Sequence, residues 1–449
     1  MSPYTVVSIE PGFDNTLLVK VKPPILIPGA EVWRPLECDP DSMPPWTDDG
    51  AVQAHGTILR QKLSTHPGVA MALLNVLSTP LSARHPVYFQ VQASVAERLR
   101  WEALWDDNEQ FLALDSRWPI ARIAEPTVPL QAPPRTFAPP LKVLALLSAV
   151  GVKAERQWRK LYEAVEKARQ SGLAVELAVF AGEEELLAAI QKGIGNGTVT
   201  GVKAAPIPQN SVQVATALED FKPHILHFFC HGSAAFGTAQ LELATITDWD
   251  LGKSSVFLGV KQLLPALRDV WLVTLNCCEG GKAVGDLHSM AHRLVAEGVP
   301  AAIGMLEPID AGDAHEFCGA FYTAVFQAVK QVQDAPAGKD VEIEWVEALH
   351  PPRSVLSQSH PNPVSRPEWT LPVLYVRPGE FRVTRGAPAG GPPPGVLEAL
   401  RQTAEAVAAI LSGLPPETPE QVRDQILGTL AGVPASLRPD RNGNFAGGA

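Results

Sequence analysis

At 449 residues the chain can form one large domain with appendages, or two to three domains of roughly 150 residues each. Hydrophobic residues make up 46% and charged residues 19%, while 35 Gly and 42 Pro come to about 17%, below the roughly 25–30% of low-complexity chains, so a globular, loop-rich protein is expected. The 37 basic and 48 acidic residues leave a net charge of −11, and no Lys/Arg cluster stands ready to track phosphates, which argues against a nucleic-acid partner.

Residues Met1 to Gly12 lack the basic and apolar regions of a secretion signal, and no uncharged apolar run is long enough to span a bilayer. A soluble, unexported, cytoplasmic protein with no membrane partner is expected. The cysteines, Cys38, Cys230, Cys277, Cys278 and Cys318, are odd in number and not spaced as a secreted disulfide framework, which fits reduced thiols. None forms a C-x-x-C pair, so a structural zinc site has no support.

Short β-branched runs at 4–9 and 16–21, set before and among prolines from Pro23 to Pro45, predict a strand-rich lead-in, bounded at 1–84. From Val87 the chain reads as a strand (VYFQVQ), a short polar helix (AERLRWEALWD), a hairpin-like FLALDSRWPIARI, and a Pro-rich connection from Pro126 to Pro140. Beyond it, strands at 142–148, 174–180, 224–229, 270–275 and 300–305 alternate with helices at 155–171, 183–192, 287–297 and 314–332. Strands separated by helical crossovers imply a parallel sheet, so an α/β domain is expected over 85–385, with a central, mostly parallel sheet flanked by helices. Residues 386–449 read as a Gly/Ala/Pro linker, an amphipathic helix at 396–411, a second helix at 418–430 and a disordered end from Pro434.

Ligands and catalysis in such sheets sit beyond the carboxyl ends of strands. Two endings carry chemistry: HILHFFCHG closes on His231-Gly232, and VWLVTLNCCEGG runs into Asn276-Cys277-Cys278-Glu279-Gly280-Gly281. A His-Gly at one strand end and a thiol before a flexible turn at another are what a Cys/His dyad requires. The imidazole activates the thiol or protonates the leaving amine, and the N–H groups of Gly232 and Cys278 are the expected donors to an anionic tetrahedral intermediate.

These residues carry a family resemblance: the chain resembles a CHAT domain, the caspase-like cysteine peptidase module found with repeat and signalling proteins in bacteria. RWEALWDDNEQFLAL resembles the family's Trp-Glu segment, HILHFFCHG its histidine motif, LNCCEGG its leucine-x-x-cysteine turn, LVAEGVPAAIGMLEPID its helix-to-strand passage, and EWTLPVLYVRPG its closing strand, over about 85–380. His231 and Cys278 stand 47 residues apart, close to the roughly 50 of caspase-type enzymes. The resemblance implies a caspase-like three-layer sandwich and a cysteine endopeptidase with His231 as general acid/base. It makes Cys278 the nucleophile, because three residues lead from Leu275 to the cysteine, with Cys277 a buried neighbour. It implies no cofactor, a specific protein as substrate in an effector or defence pathway, and a regulatory protein as a further partner.

Three positions depart from the family pattern: Gly280 replaces a hydroxyl residue, Arg100 a proline and Glu307 a tryptophan. Non-animal relatives of caspases mostly cleave after Arg or Lys, which demands a buried carboxylate at the base of the pocket. Of Glu307, Asp310 and Asp313, the expected residue is Asp310, with Glu307 second.

Other readings are weaker. Cys38, Cys230, Cys277 and Cys318 read as packing. His288 and His292 have metal-ligand spacing, but HSMAH lacks the Glu of the zinc-peptidase motif, so no metal is expected. The glycines of GIGNGTVTG follow a helix rather than a strand, which rejects a dinucleotide site, and Gly281-Lys282 lacks the upstream glycine of a phosphate loop. The tail helix either packs on its own domain or binds a partner. A catalytically silent adaptor is the main alternative, opposed by the intact dyad. A redox sensor built on Cys277 and Cys278 suffers because adjacent cysteines pair only with strain.

Overall fold

The computed structural model describes residues 3–46, 50–106, 110–127, 135–235, 238–276, 287–359, 362, 366–377, 381–386, 394–430, 438–442 and 444. The chain divides into a larger unit, residues 1–335 and 340–384, and a smaller one, residues 336–339 and 385–449.

One sheet organises the larger unit. Strands β1 (Thr5–Pro11), β2 (Leu17–Lys22) and β3 (Arg34–Leu36) are antiparallel neighbours; after helices α1 (Ala51–Ser64) and α2 (Pro67–Leu77), β4 (Val87–Val91) pairs parallel with β1. Helix α3 (Ser94–Glu97) leads to β5 (Ile120–Ile123), parallel to β4, and then comes β6 (Arg135–Phe137). The alternating stretch follows as β7 (Leu141–Ser148), α4 (Glu155–Gln170), β8 (Val175–Ala181), α5 (Glu184–Gly195), β9 (Val202–Pro206), α6 (Ser211–Phe221) and β10 (Ile225–Ala235). A side excursion of β11 (Thr238–Leu243), α7 (Ile246–Asp250), β12 (Val256–Gly259) and α8 (Val260–Leu263) precedes β13 (Leu272–Asn276), α9 (Leu287–Ala296), β14 (Ala301–Met305) and α10 (Ala311–Asp334). The unit closes with β15 (Asp340–Glu342), α11 (His350–Gln358), β16 (Pro372–Val376) and β17 (Arg382–Arg385).

Across the sheet the order is β3-β2-β1-β4-β5-β16-β14-β13-β10-β7-β8-β9, with β11 and β12 continuing from β10 off this path. Strands β14 to β9 run parallel, β1, β4, β5 and β16 run parallel, and the two blocks meet at the antiparallel β14–β16 pair. The carboxyl ends of β14, β13, β10, β7, β8 and β9 therefore share one edge. Strand β7 shows why its sequence is apolar throughout: Val143, Ala145 and Leu147 enter one core, and Leu144 and Leu146 the core on the opposite face. Helices α4, α5 and α10 cover the first face and α6, α8 and α9 the second, a three-layer sandwich. Helix α4 buries Trp158, Leu161, Val165 and Ala168 at helical spacing, and it stops at Gly172, whose φ of +94° suits a residue without Cβ.

A buried ion network ties β16, the strand at the junction of the two blocks, to β5 and to the connection before β5. Arg122 of β5 is fully buried; it donates to both oxygens of Glu102 (3.0 and 2.9 Å), to the carboxylate of Glu97 (3.1 Å) and to the carbonyls of Glu97 and Leu99. Tyr375 of β16, the register partner of Arg122, donates its hydroxyl to Glu97 at 2.7 Å. Burial works to lower the guanidinium's pKa, but the Glu102 charge, with Tyr375 and Glu97, outweighs it and raises the pKa above its ordinary value. Glu102 belongs to the Trp-Glu segment, and its neighbour Trp101 stacks on Phe89 of β4 with ring centroids 4.9 Å apart.

Several elements differ from the sequence reading. Residues 1–84 add strands to the common sheet and contribute α1 and α2, whose helical signal in AVQAHGTILRQKLS was masked by the prolines before it. FLALDSRWPIARI is no hairpin: a 3-10 turn at Leu112–Leu114 leads into β5, which pairs parallel with β4. The polar helix near residue 100 is α3 followed by a 3-10 turn at Trp101–Ala103. Residues 128–134 of the Pro-rich connection, and most of the end from Pro434, lie outside the described residues. The smaller unit holds α12 (Pro394–Ser412) and α13 (Glu420–Gly428), packed through Ala404, Val407, Leu411 and Leu430, with Arg441 paired to Glu420 and Asp424.

Replacing Arg122 with Met leaves Glu102 buried without its counter-charge, so Arg122→Met should lower stability by about 3–5 kcal/mol. Urea denaturation followed by tryptophan fluorescence checks this. A loss under 1 kcal/mol would show that the network does not hold β16 and the β4–β5 connection to β5.

Candidate active site

His231 lies where β10 outruns β13. The parallel pairing ends at Phe229 opposite Asn276, and His231 and Gly232 continue into the antiparallel pair with β11, opposite Glu242 and Leu241. The imidazole is 4% exposed, and its Nε2 stands 2.7 Å from the carbonyl oxygen of Val150 in the loop between β7 and α4. A carbonyl only accepts, so Nε2 bears the proton and Nδ1 is left as the basic nitrogen of the neutral ring. Nδ1 is buried and has no hydrogen-bond partner among the described residues.

Side-chain alternation puts His227, Phe229 and His231 on the face covered by α4 and α10. On β13 the same face carries Thr274, which accepts from the Tyr322 hydroxyl (3.1 Å), and Asn276, whose Nδ2 donates to the carbonyl of Ala314 (2.8 Å). Asn276 Oδ1 is buried without a hydrogen-bond partner among the described residues. Cys277, Cys278, Glu279, Gly280 and Gly281 lie outside the described residues, which resume at Leu287. The structure thus brings His231 beside the strand that leads to Cys278, and stops two residues short of that thiol.

A polar chain lies on the same face of β10 as His231. Gln157, in the first turn of α4, accepts from Nδ1 of His315 (2.7 Å) and donates from its amide nitrogen to Nε2 of His227 (2.9 Å), and the ring of His315 lies 5.4 Å from that of Phe229. Burial pushes the pKa of His227 down to about 3 and, with help from Arg156, that of His315 down to about 4. Nearby, the Glu183 carboxylate accepts from the backbone N–H of Ala154 at 2.6 Å, and burial raises its pKa.

The loop between β14 and α10 holds the other candidates. Glu307, half-exposed, is ion-paired with Arg100, which is 2% exposed, stacks over the Trp46 ring at 3.7 Å and donates to Thr370 Oγ1 at 3.0 Å. Two of the three positions noted as departures from the family pattern, Arg100 and Glu307, are therefore partners of each other. Asp310 is exposed and caps α10, accepting from Gly312 N–H at 2.7 Å, whereas Asp313 is buried in the first helical turn. Sequence reasoning missed Val150, which acts through its backbone, Gln157, one polar residue on a charged helix, and Trp46, from outside the motif region.

Cys38, Cys230 and Cys318 are buried, and burial pushes the Cys38 thiol up to about 11 and Cys318 further. The ring of His292 packs edge-on against Tyr375 with centroids 5.5 Å apart. The side chain of His288 lies outside the described residues. Among the described residues no group of His, Cys, Asp or Glu converges as a metal-ligand set, and no helix is long and apolar enough to cross a membrane.

The family model of the CHAT domain matches residues 63–337. No curated protein is a significant match. A solved separase–securin complex of Saccharomyces cerevisiae aligns with 73% of this chain at 11% identity and a TM-score of 0.32; the aligned part is 17% of that chain.

The buried histidines set a pH dependence. Unfolded histidines bind a proton near pH 6.5, while His227 and His315 stay neutral in the fold down to about 3 and about 4. The unfolded state thus binds more protons across this window, and stability should fall as pH drops from about 6.5 towards 4. The urea midpoint should decrease between pH 7 and pH 4, and His227→Gln should flatten the decrease; a midpoint independent of pH would contradict the assignment.

Proposed function

The chain belongs to the CHAT domain family, a caspase-like fold family, and on that premise we propose that it is a cysteine endopeptidase with Cys278 as nucleophile and His231 as general acid/base. The observation that carries the reading is the Val150 carbonyl on Nε2 of His231, which leaves a buried Nδ1, without a hydrogen-bond partner among the described residues, ready to take a proton. A second feature agrees: β10 and β13 pair at an offset of 47 residues, Phe229 with Asn276, and His231 and Cys278 are separated by the same 47.

In the reaction the Cys278 proton passes to Nδ1 as Sγ bonds to the scissile carbonyl carbon, and the N–H groups of Gly232 and Cys278 hold the oxyanion. The imidazolium gives its proton to the leaving amine as the C–N bond breaks. His231 then deprotonates a water, which hydrolyses the thioester and returns the thiol. Val150 stabilises the imidazolium through Nε2–H, and no cofactor enters. The substrate is a protein, and its place in an effector or defence pathway rests on the family.

Asp310 is exposed on the cap of α10 rather than buried as expected, and selection of Arg or Lys before the cleaved bond still falls to it because the charge of Glu307 is already met by Arg100. Asn caps a helix as well as Asp, so Asp310→Asn removes charge without removing the cap. It should lower kcat/KM for peptides with P1 Arg about fivefold to tenfold, in line with about 1 kcal/mol for an exposed charge pair. An unchanged ratio would move recognition elsewhere.

An acyloxymethyl ketone bearing P1 Arg, read by intact mass, tests the nucleophile. Labelling should persist in Cys277→Ala, vanish in Cys278→Ala and slow about 100-fold or more in His231→Ala. A folded protein that takes no label, or keeps it in Cys278→Ala, would overturn the peptidase reading, the former in favour of an adaptor.

A further inference from the structure

The His227–Gln157–His315 chain has no part in the chemistry proposed above, yet it lies on the face of β10 that carries the candidate base, one alternate residue, Phe229, intervening. Gln157 and His227 are fully buried and His315 is 5% exposed. Each comes from a different element: α4, β10 and α10. An amide is suited to this bridge because its oxygen only accepts and its nitrogen only donates, so one side chain serves two neutral imidazoles at once.

Two routes lead from Gln157 to His231. Along β10, His227 and His231 share a face, with Phe229 between them and its ring against His315. Through α4, Gln157 sits in the helix's first turn, directly after the loop whose Val150 carbonyl meets Nε2 of His231. That loop has a second anchor where Glu183 accepts from Ala154 N–H. With Gln157 cut, the start of α4 would keep Glu183 on Ala154 and the surface Arg156–Glu316 pair but lose its buried tie to β10, and the Val150 carbonyl would lose its fixed distance from the imidazole.

We propose that Gln157 is a positioning residue for His231, clamping β10, α4 and α10 so that the Val150 carbonyl holds the imidazole in its Nε2–H tautomer. The effect on rate rests on the peptidase reading; the effect on the tautomer does not.

The experiment uses the full chain with 15N-labelled histidine. Long-range imidazole spectra at pH 7.5 are recorded for the wild type, Gln157→Met and Gln157→Glu, with His231 assigned from His231→Gln. Met keeps the volume and removes both bonds; Glu keeps the bond from His315, so it remains informative if Met fails to fold. The wild type should show His231 as a fixed Nε2–H tautomer, Gln157→Met a mixture of tautomers, and Gln157→Glu an intermediate state. Labelling of Cys278 by the P1-Arg ketone should slow about tenfold in Gln157→Met. A His231 signature identical in all three proteins would overturn the proposal, whatever the labelling rates. If the wild type takes no label while the variants loosen the tautomer, the peptidase reading fails and the positioning role stands.

Discussion

Arg122 has no contact with solvent, and a guanidinium in that position is tolerable only if its charge and donors are met. Glu102 meets it with both oxygens, Glu97 with a third, and the carbonyls of Glu97 and Leu99 take further N–H groups. Each partner comes from the connection between β4 and β5, so that irregular stretch has little freedom once Arg122 is in place. Tyr375 extends the network onto β16, the strand at the seam of the two parallel blocks. Beyond that seam β16 pairs with β14, β14 with β13 and β13 with β10. The Trp-Glu segment, distant in sequence from the histidine and cysteine motifs, thus helps to fix β5 and β16.

At the carboxyl edge of β10 and β13 the backbone positions groups as much as side chains do. The His231 imidazole is oriented by a main-chain carbonyl, and Asn276 ties the end of β13 to the first turn of α10. Trp46, from before the family-matched region, braces Arg100, which in turn fixes Glu307 in the loop between β14 and α10. The first 50 residues therefore reach the working edge of the sheet, which a reading of them as a separate lead-in did not provide for.

Strands β7, β8, β10, β13 and β14 and helices α4, α5, α9 and α10 were legible because buried parallel strands are written as apolar runs and their crossover helices as amphipathic stretches, whereas β9, the half-exposed edge strand, α6 and the excursion from β11 to α8 were not. HILHFFCHG and VTLN also announced strand ends through the polar residues that close them. Less visible were features created by pairing across distance. Arg100 and Glu307 each stood out alone, but nothing local to either one marks them as partners. Val150 gives no sequence signal, since any residue offers a carbonyl. Helix α1 was overlooked because its polar face, with Gln53, Thr57 and Gln61, carries too little contrast beside a proline-rich approach.

The most direct measurement is a crystal structure of the covalent adduct with the P1-Arg ketone. The account predicts a bond from Cys278 Sγ to the inhibitor carbon, Nδ1 of His231 within hydrogen-bond distance of that sulfur, and Nε2 still on the Val150 carbonyl. An imidazole turned so that Nε2 faces the sulfur and Val150 is released, or an adduct on another cysteine, would contradict it.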